Sequence, residues 1–189
     1  MSRGLGDVYK RQLPQLRVAV NVSTLQLKQK HFPAMVAHYL RESGLEAQFL
    51  ELEITESLMM ESPEEALTVL NQLSALGVHL SLDDFGTGYS SLSYLPRFPI
   101  DTIKIDRSFI SKMSLDPNTM QIVVAIVTLC QKMGKSIIAE GIETWDQRKL
   151  LEEIRCSYGQ GYLFSRPLDE AAIVSHMRKQ VGVNLLLLP

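Results

Sequence analysis

The chain has 189 residues, 46% of them hydrophobic, and a formal net charge of −2. That length suits one well-buried domain and leaves little room for a second. The near-neutral balance excludes the strongly basic face that non-specific binding of a nucleic-acid polymer requires, and no apolar run approaches the ~20 residues of a membrane span.

Residues 1–12, MSRGLGDVYKRQ, carry Gly, Arg and Lys without periodicity and read as a leader foreign to the domain, which is expected over 13–180 with a tail at 181–189. From Leu16 short apolar strands alternate with amphipathic helices. LRVAVNVS (16–23) sets Val18, Val20 and Val22 against Ala19, Asn21 and Ser23, and FLELEIT (49–55) sets Leu50, Leu52 and Ile54 against Glu51, Glu53 and Thr55. A helix is predicted over 62–77, with Ser62 and Glu65 as a capping box, Pro63 in the first turn, Ala66, Leu67, Leu70 and Leu73 as its apolar stripe and Gly77 as its stop. Strands follow at 79–85 and 102–106, then a helix at 121–134 that is apolar nearly all round and so expected to be buried on a sheet. A strand at 136–141, a helix at 145–154, a strand at 158–164 and a helix at 169–180 complete the series.

Strands separated by helices pair in parallel, which leaves a doubly wound sheet or a barrel. Six strand–helix units behind a foreign-looking start predict a (β/α)₈ barrel of the TIM type, incomplete, with its first two units missing.

Polar residues fall at the strand ends: Asn21, Glu53, Asp83 with Asp84, Lys104, Glu140 and Gln160. In a parallel barrel these ends open on one rim, so the side chains are expected to converge. The donors are an amide and four carboxylates, without histidine or thiolate, because His31, His38, His79 and His176 lack metal-ligand spacing and Cys130 and Cys156 form no CxxC pair. Both cysteines are expected to be packed, in a reducing compartment. Oxygen donors select hard cations, so Mg²⁺ or Mn²⁺ is expected, and neighbouring acids repel unless a cation neutralises them. Two metals would account for the Asp83–Asp84 pair and are suited to in-line phosphodiester hydrolysis, with Lys104 orienting water or neutralising a phosphoryl oxygen.

NVS (21–23), ELEITES (51–57), DDFGTGYSSL (83–92), IDTIKIDRSFI (100–110), AEGIET (139–144) and QGYLFSRPL (160–168) resemble, in order and spacing, the motif series of EAL-type cyclic-di-GMP phosphodiesterases. The resemblance implies a modified (β/α)₈ barrel that hydrolyses cyclic di-GMP to linear pGpG with two divalent ions, Mg²⁺ or Mn²⁺. It implies metal ligation by Asn21, Glu53, Asp83 and Asp84, with Glu140 as ligand or general base and Lys104 at the nucleophilic water. It implies further that Gln160 and Asp106, with Glu143 at the second acidic position of AEGIET, bind substrate at the site, and that Glu56 anchors the loop carrying Gly86 and Gly88. That loop, GTGYSS (86–91), resembles the segment that couples dimerisation to metal binding, so a homodimer is expected.

No Glu-Ala-Leu tripeptide stands at the family's position. The first strands and a sensor, receiver or GGDEF-type domain, with any membrane anchor, are therefore expected upstream, and the chain as given is expected to be poorly soluble or inactive. The substrate implies a cytoplasmic catalytic part. The first alternative is a catalytically inactive EAL-type module that binds cyclic di-GMP, disfavoured because its acids and lysine are intact. A receiver domain is disfavoured by strand order and a carboxylate-rich barrel of the enolase type by the motif series. Trp145, Tyr89, Tyr94 and Tyr162 read as packing groups, and Arg166 as either a phosphate contact or a cap on the last strand.

Overall fold

The computed structural model describes residues 16–88, 93–169, 172, 173 and 176; the leader, the loop tip with Tyr89, most of the predicted helix 169–180 and the tail lie outside them. The chain divides into two units, Met1–Leu82 with Gly88–Asp101, and Asp83–Thr87 with Thr102–Pro189.

In the first unit β1 (Val18–Asn21) pairs in parallel with β2 (Leu50–Thr55), so that Val18 lies beside Leu50 and Asn21 beside Glu53. β3 (His79–Phe85) is next in order, and its first half belongs here. Helices α1 (Thr24–Leu27) and α2 (Phe32–Ser43) connect β1 to β2; α3 (Glu56–Glu61) and α4 (Pro63–Ala75) connect β2 to β3. Leu52, Ile54, Leu80 and Leu82 of the strands and Met59, Leu70 and Leu73 of the helices are all buried and make up the core of this unit.

Two details differ from expectation. Val18 and Val20 are 58% and 46% exposed on β1, which among the described residues is the edge strand with β2 as its strand neighbour; Val22 beyond it is buried. Ser62 precedes α4 but its side chain makes no capping bond. Its carbonyl accepts from the Ala66 amide, Pro63 occupies the first turn, and Glu64 pairs with Arg97 at 2.8 Å. Acidic side chains at that end favour the helix dipole without a box. The boxes that do form are Ser23 with Gln26 at α1 and Thr144 with Gln147 before Trp145.

In the second unit the order runs from the end of β3 through β4 (Thr102–Ile105), β5 (Ser136–Ala139) and β6 (Tyr158–Gly159). β4 and β5 are parallel with Lys104 beside Ile138, and β5 and β6 are parallel with Ala139 beside Gly159. Helices α5 (Arg107–Ile110) and α6 (Pro117–Lys132) follow β4, and α7 (Trp145–Glu153) follows β5. All four residues of β4 are buried, as parallel strands covered on both faces are. α6 starts ahead of the predicted helix because Asp116 caps it, accepting from the Asn118 and Thr119 amides. It buries one face only: Val123, Val127 and Cys130 are inside, while Ile122 and Val124 are exposed.

β6 is shorter than the predicted strand 158–164. The chain turns at Gly161, where a side chain would collide with the Ile142 backbone. Cys130 and Cys156 are buried free thiols, pushed by burial up to about 12 and about 11 respectively. Trp145 and Tyr162, expected to pack, are 67% and 52% exposed, each with an arginine over its ring (Arg148 and Arg166). Within neither unit does the strand order reverse, as a doubly wound sheet would require; the fold is α/β of the (β/α)-barrel class. No helix among the described residues is long and apolar enough to cross a membrane.

Candidate metal centre

The site of the second unit is assembled from the C-terminal ends of consecutive parallel strands. β3 carries Asp83 and Asp84 just before its last residue, β4 carries Lys104, the residue after β5 is Glu140, and the residue after β6 is Gln160. Lys104 is 4% exposed, and its ammonium lies 3.1 Å from Asp83 Oδ1 and 2.8 Å from Glu140 Oε1. Gln160 donates from Nε2 to the same Glu140 oxygen at 2.7 Å. Carboxylate oxygens of Asp83, Asp84 and Glu140 lie within 4.8 Å of one another.

Two features mark the place as strained and charged. Asp84 has φ +54, a left-handed conformation that aspartate tolerates better than most residues but that disfavours an L side chain. The Asp84 amide donates to Asp83 Oδ1 at 3.1 Å, and its carbonyl accepts from the Thr87 hydroxyl at 2.9 Å, which holds the turn. Burial raises the Asp84 carboxyl above its ordinary value of 3.8, the Asp83 and Asp106 charges raise it further, and Lys104 opposes them. The acid pair therefore receives part of its counter-charge from Lys104 itself.

A cluster of three carboxylate donors, without nitrogen or sulfur, fits a hard divalent cation and not zinc in a structural setting. In the first unit, Asn21 and Glu53 are strand neighbours in register, and the Val22 amide donates to the Glu53 carbonyl at 2.8 Å.

The remaining predicted residues take distinct places. Asp106 caps α5, accepting from the Ser108 amide at 2.9 Å. Glu143 pairs with Arg107 at 2.7 Å on an exposed surface. Glu56 is 2% exposed, and its Oε1 would lie 3.3 Å from a Cβ placed on Gly88, so Gly88 lies close over this carboxylate. Gly86 has φ +97 and lies against the Phe109 ring. Arg107, Phe109 and Gln147 were not foreseen. The Gln147 side chain accepts from the Glu143 and Thr144 amides at 2.8 and 3.0 Å and donates to the Ile110 carbonyl at 3.3 Å.

The EAL domain model matches residues 3–167. The chain is 46% identical over 164 residues to the cyclic di-GMP phosphodiesterase NbdA of Pseudomonas aeruginosa, covering 87% of this chain and 21% of that protein. It is 41% identical over 157 residues to the cyclic di-GMP phosphodiesterase PdeR of Escherichia coli, covering 83% and 24%. The chain thus spans between a fifth and a quarter of the length of these relatives. Among solved structures, the PaMucR phosphodiesterase in complex with c-di-GMP is similar with a TM-score of 0.84 and 40% identity, over 88% of this chain and 67% of that one. A manganese and cyclic-di-GMP complex of Klebsiella pneumoniae BlrP1 is similar with a TM-score of 0.76 and 30% identity, over 86% and 42%.

Proposed function

The chain belongs to the EAL domain family, and on that premise we propose that it is the metal-dependent catalytic part of a phosphodiesterase that hydrolyses cyclic di-GMP to linear pGpG. The observation that carries this reading is the trio Asp83, Asp84 and Glu140 with Lys104 set between Asp83 and Glu140.

Asp83, Asp84 and Glu140 are proposed to hold Mg²⁺ or Mn²⁺, two ions in all, with Asn21 and Glu53 as further oxygen ligands. A bound divalent ion supplies Lewis-acid polarisation of the phosphate and a water of lowered pKa. The residues do the rest. Lys104 Nζ, held between its two carboxylate partners, orients the attacking water and offsets charge that develops on the phosphoryl oxygens. Gln160 fixes the rotamer of Glu140 by donating to Oε1, so that this carboxylate can accept a proton from the water at a set position. Gln160, Asp106 and Glu143 are proposed substrate contacts. Contact by Asp106 or Glu143 exchanges the bonds they make to Ser108 and Arg107.

Glu56 is proposed to anchor the loop at Gly86 and Gly88, whose conformation couples a homodimer to the site. The catalytic part is proposed to be cytoplasmic and fused to an upstream sensor, receiver or GGDEF-type domain. Turnover of cyclic di-GMP to pGpG, followed with Mg²⁺ and Mn²⁺ in the chain and any longer product of its gene, tests the reading. Metal-dependent turnover that Asp83→Asn abolishes supports it; tight nucleotide binding without turnover makes the protein a sensor instead.

A further inference from the structure

The short helix α5 stands directly after β4, the strand that lies between β3 and β5 in the sheet. Its side chains reach the chain just beyond each acidic group. A Cβ on Gly86, two residues after Asp84, would sit 2.8 Å from Phe109 Cε2 and 3.0 Å from Cζ, so the ring lies flush with that backbone. Across the helix, the Arg107 stem covers Gly141, the residue after Glu140: a Cβ there would meet Arg107 Cβ and Cδ at 2.8 Å and collide with its Cγ. The Arg107 guanidinium continues to Glu143 at 2.7 Å. Ile110 is fully buried and its carbonyl accepts from Gln147, whose Oε1 accepts from the Glu143 amide. The Asp106 cap closes the helix at its start.

Gly86 and Gly141 have φ +97 and +70, and Asp84 has φ +54. Glycine enters that region without strain, so at Gly86 and Gly141 neighbouring side chains are what fix the backbone, and the strain is confined to Asp84. The contacts that do so at Gly86 and Gly141 come from one helical turn. The geometry points to α5 as a bracket that sets the separation of Asp83 and Asp84 from Glu140, with Phe109 and Arg107 as its positioning residues. The inference rests on the proposed reading of these acids as metal ligands. It concerns residues that touch neither the ion nor the substrate, and groups that orient ligands are worth about 10–100-fold in metal affinity.

The test is Mn²⁺ binding by the chain without nucleotide, read from the electron paramagnetic resonance signal of free Mn²⁺, beside the metal-free melting temperature. Wild type should bind and Asp83→Asn should lose binding. Arg107→Ala and Phe109→Ala should each bind about tenfold more weakly. Phe109→Leu, which retains apolar bulk, should fall between Phe109→Ala and wild type, and it replaces Phe109→Ala as the deciding variant if that protein does not fold. Mn²⁺ affinity within twofold of wild type in the Arg107 and Phe109 variants, whatever their melting temperatures, overturns the bracket while leaving the metal reading intact. Wild type binding no better than Asp83→Asn overturns both.

Discussion

Lys104 is buried on a parallel strand whose four residues are all buried, a place where an ammonium survives only against opposite charge. Its partners, Asp83 and Glu140, are two of the three acids that crowd within 4.8 Å. Lys104→Met therefore removes counter-charge from the acids and the donor proposed to act on the phosphate. Turnover should fall by about 10²-fold or more, and the loss should appear in the rate at saturating substrate, because the group acts where charge develops. An equal rate in the variant would remove Lys104 from the chemistry. His79 offers a separate test in the first unit. Burial lowers its pKa from the ordinary 6.5; Asp101 and Glu51 oppose the shift and Arg17 adds to it. The unfolded chain then binds the proton more readily, so stability is complete above about pH 6.5 and declines as pH falls toward the depressed folded value. Urea midpoints measured between pH 7 and pH 5 should show this decline in wild type, and His79→Gln should flatten it.

At the scale of elements, the strands were legible because apolar residues alternate between turn residues, and the site was legible because each strand ends in a polar residue where a buried run would continue. Asp83, Asp84, Lys104, Glu140 and Gln160 stand together for that reason. What escaped reading lies in elements too short for a period or in contacts made by backbone. Helix α5 has four residues, and its partners Gly86 and Gly141 have no side chain to signal the contact. The Ser62–Glu65 pattern reads as a box, yet the Ser62 side chain makes no capping bond. The same rule with glutamine, at Ser23 and Thr144, is satisfied in full. The alternation past Gly159 suggested a longer β6, but the backbone of Gly161 presses on that of Ile142. Two outcomes follow for stability. Gly161→Ala should cost about 1–3 kcal/mol in chemical denaturation through overpacking. Thr144→Ala, which removes the cap on α7, should cost about 1 kcal/mol.

For the molecule as a whole, a metal that binds the folded chain and not the unfolded one must stabilise it. The acids that would hold it lie on residues brought from β3 and the end of β5, far apart in the chain and assembled by folding alone. An unfolded chain presents the same carboxylates scattered, with little affinity for one ion. At a Mn²⁺ concentration one hundred times its dissociation constant, linkage adds about 2.7 kcal/mol. For a chain of this size that corresponds to a rise of about 5–10 °C in melting temperature. Asp83→Asn should show little of this rise at the same Mn²⁺ concentration. Its metal-free melting temperature should fall little or even increase, because one of three mutually repelling carboxylates has been neutralised, although Lys104 loses part of its counter-charge. A variant about as stable as wild type without metal yet blind to Mn²⁺ separates ligation from folding in a single pair of melting curves. An equal Mn²⁺ shift in both proteins would place the ion elsewhere on the chain.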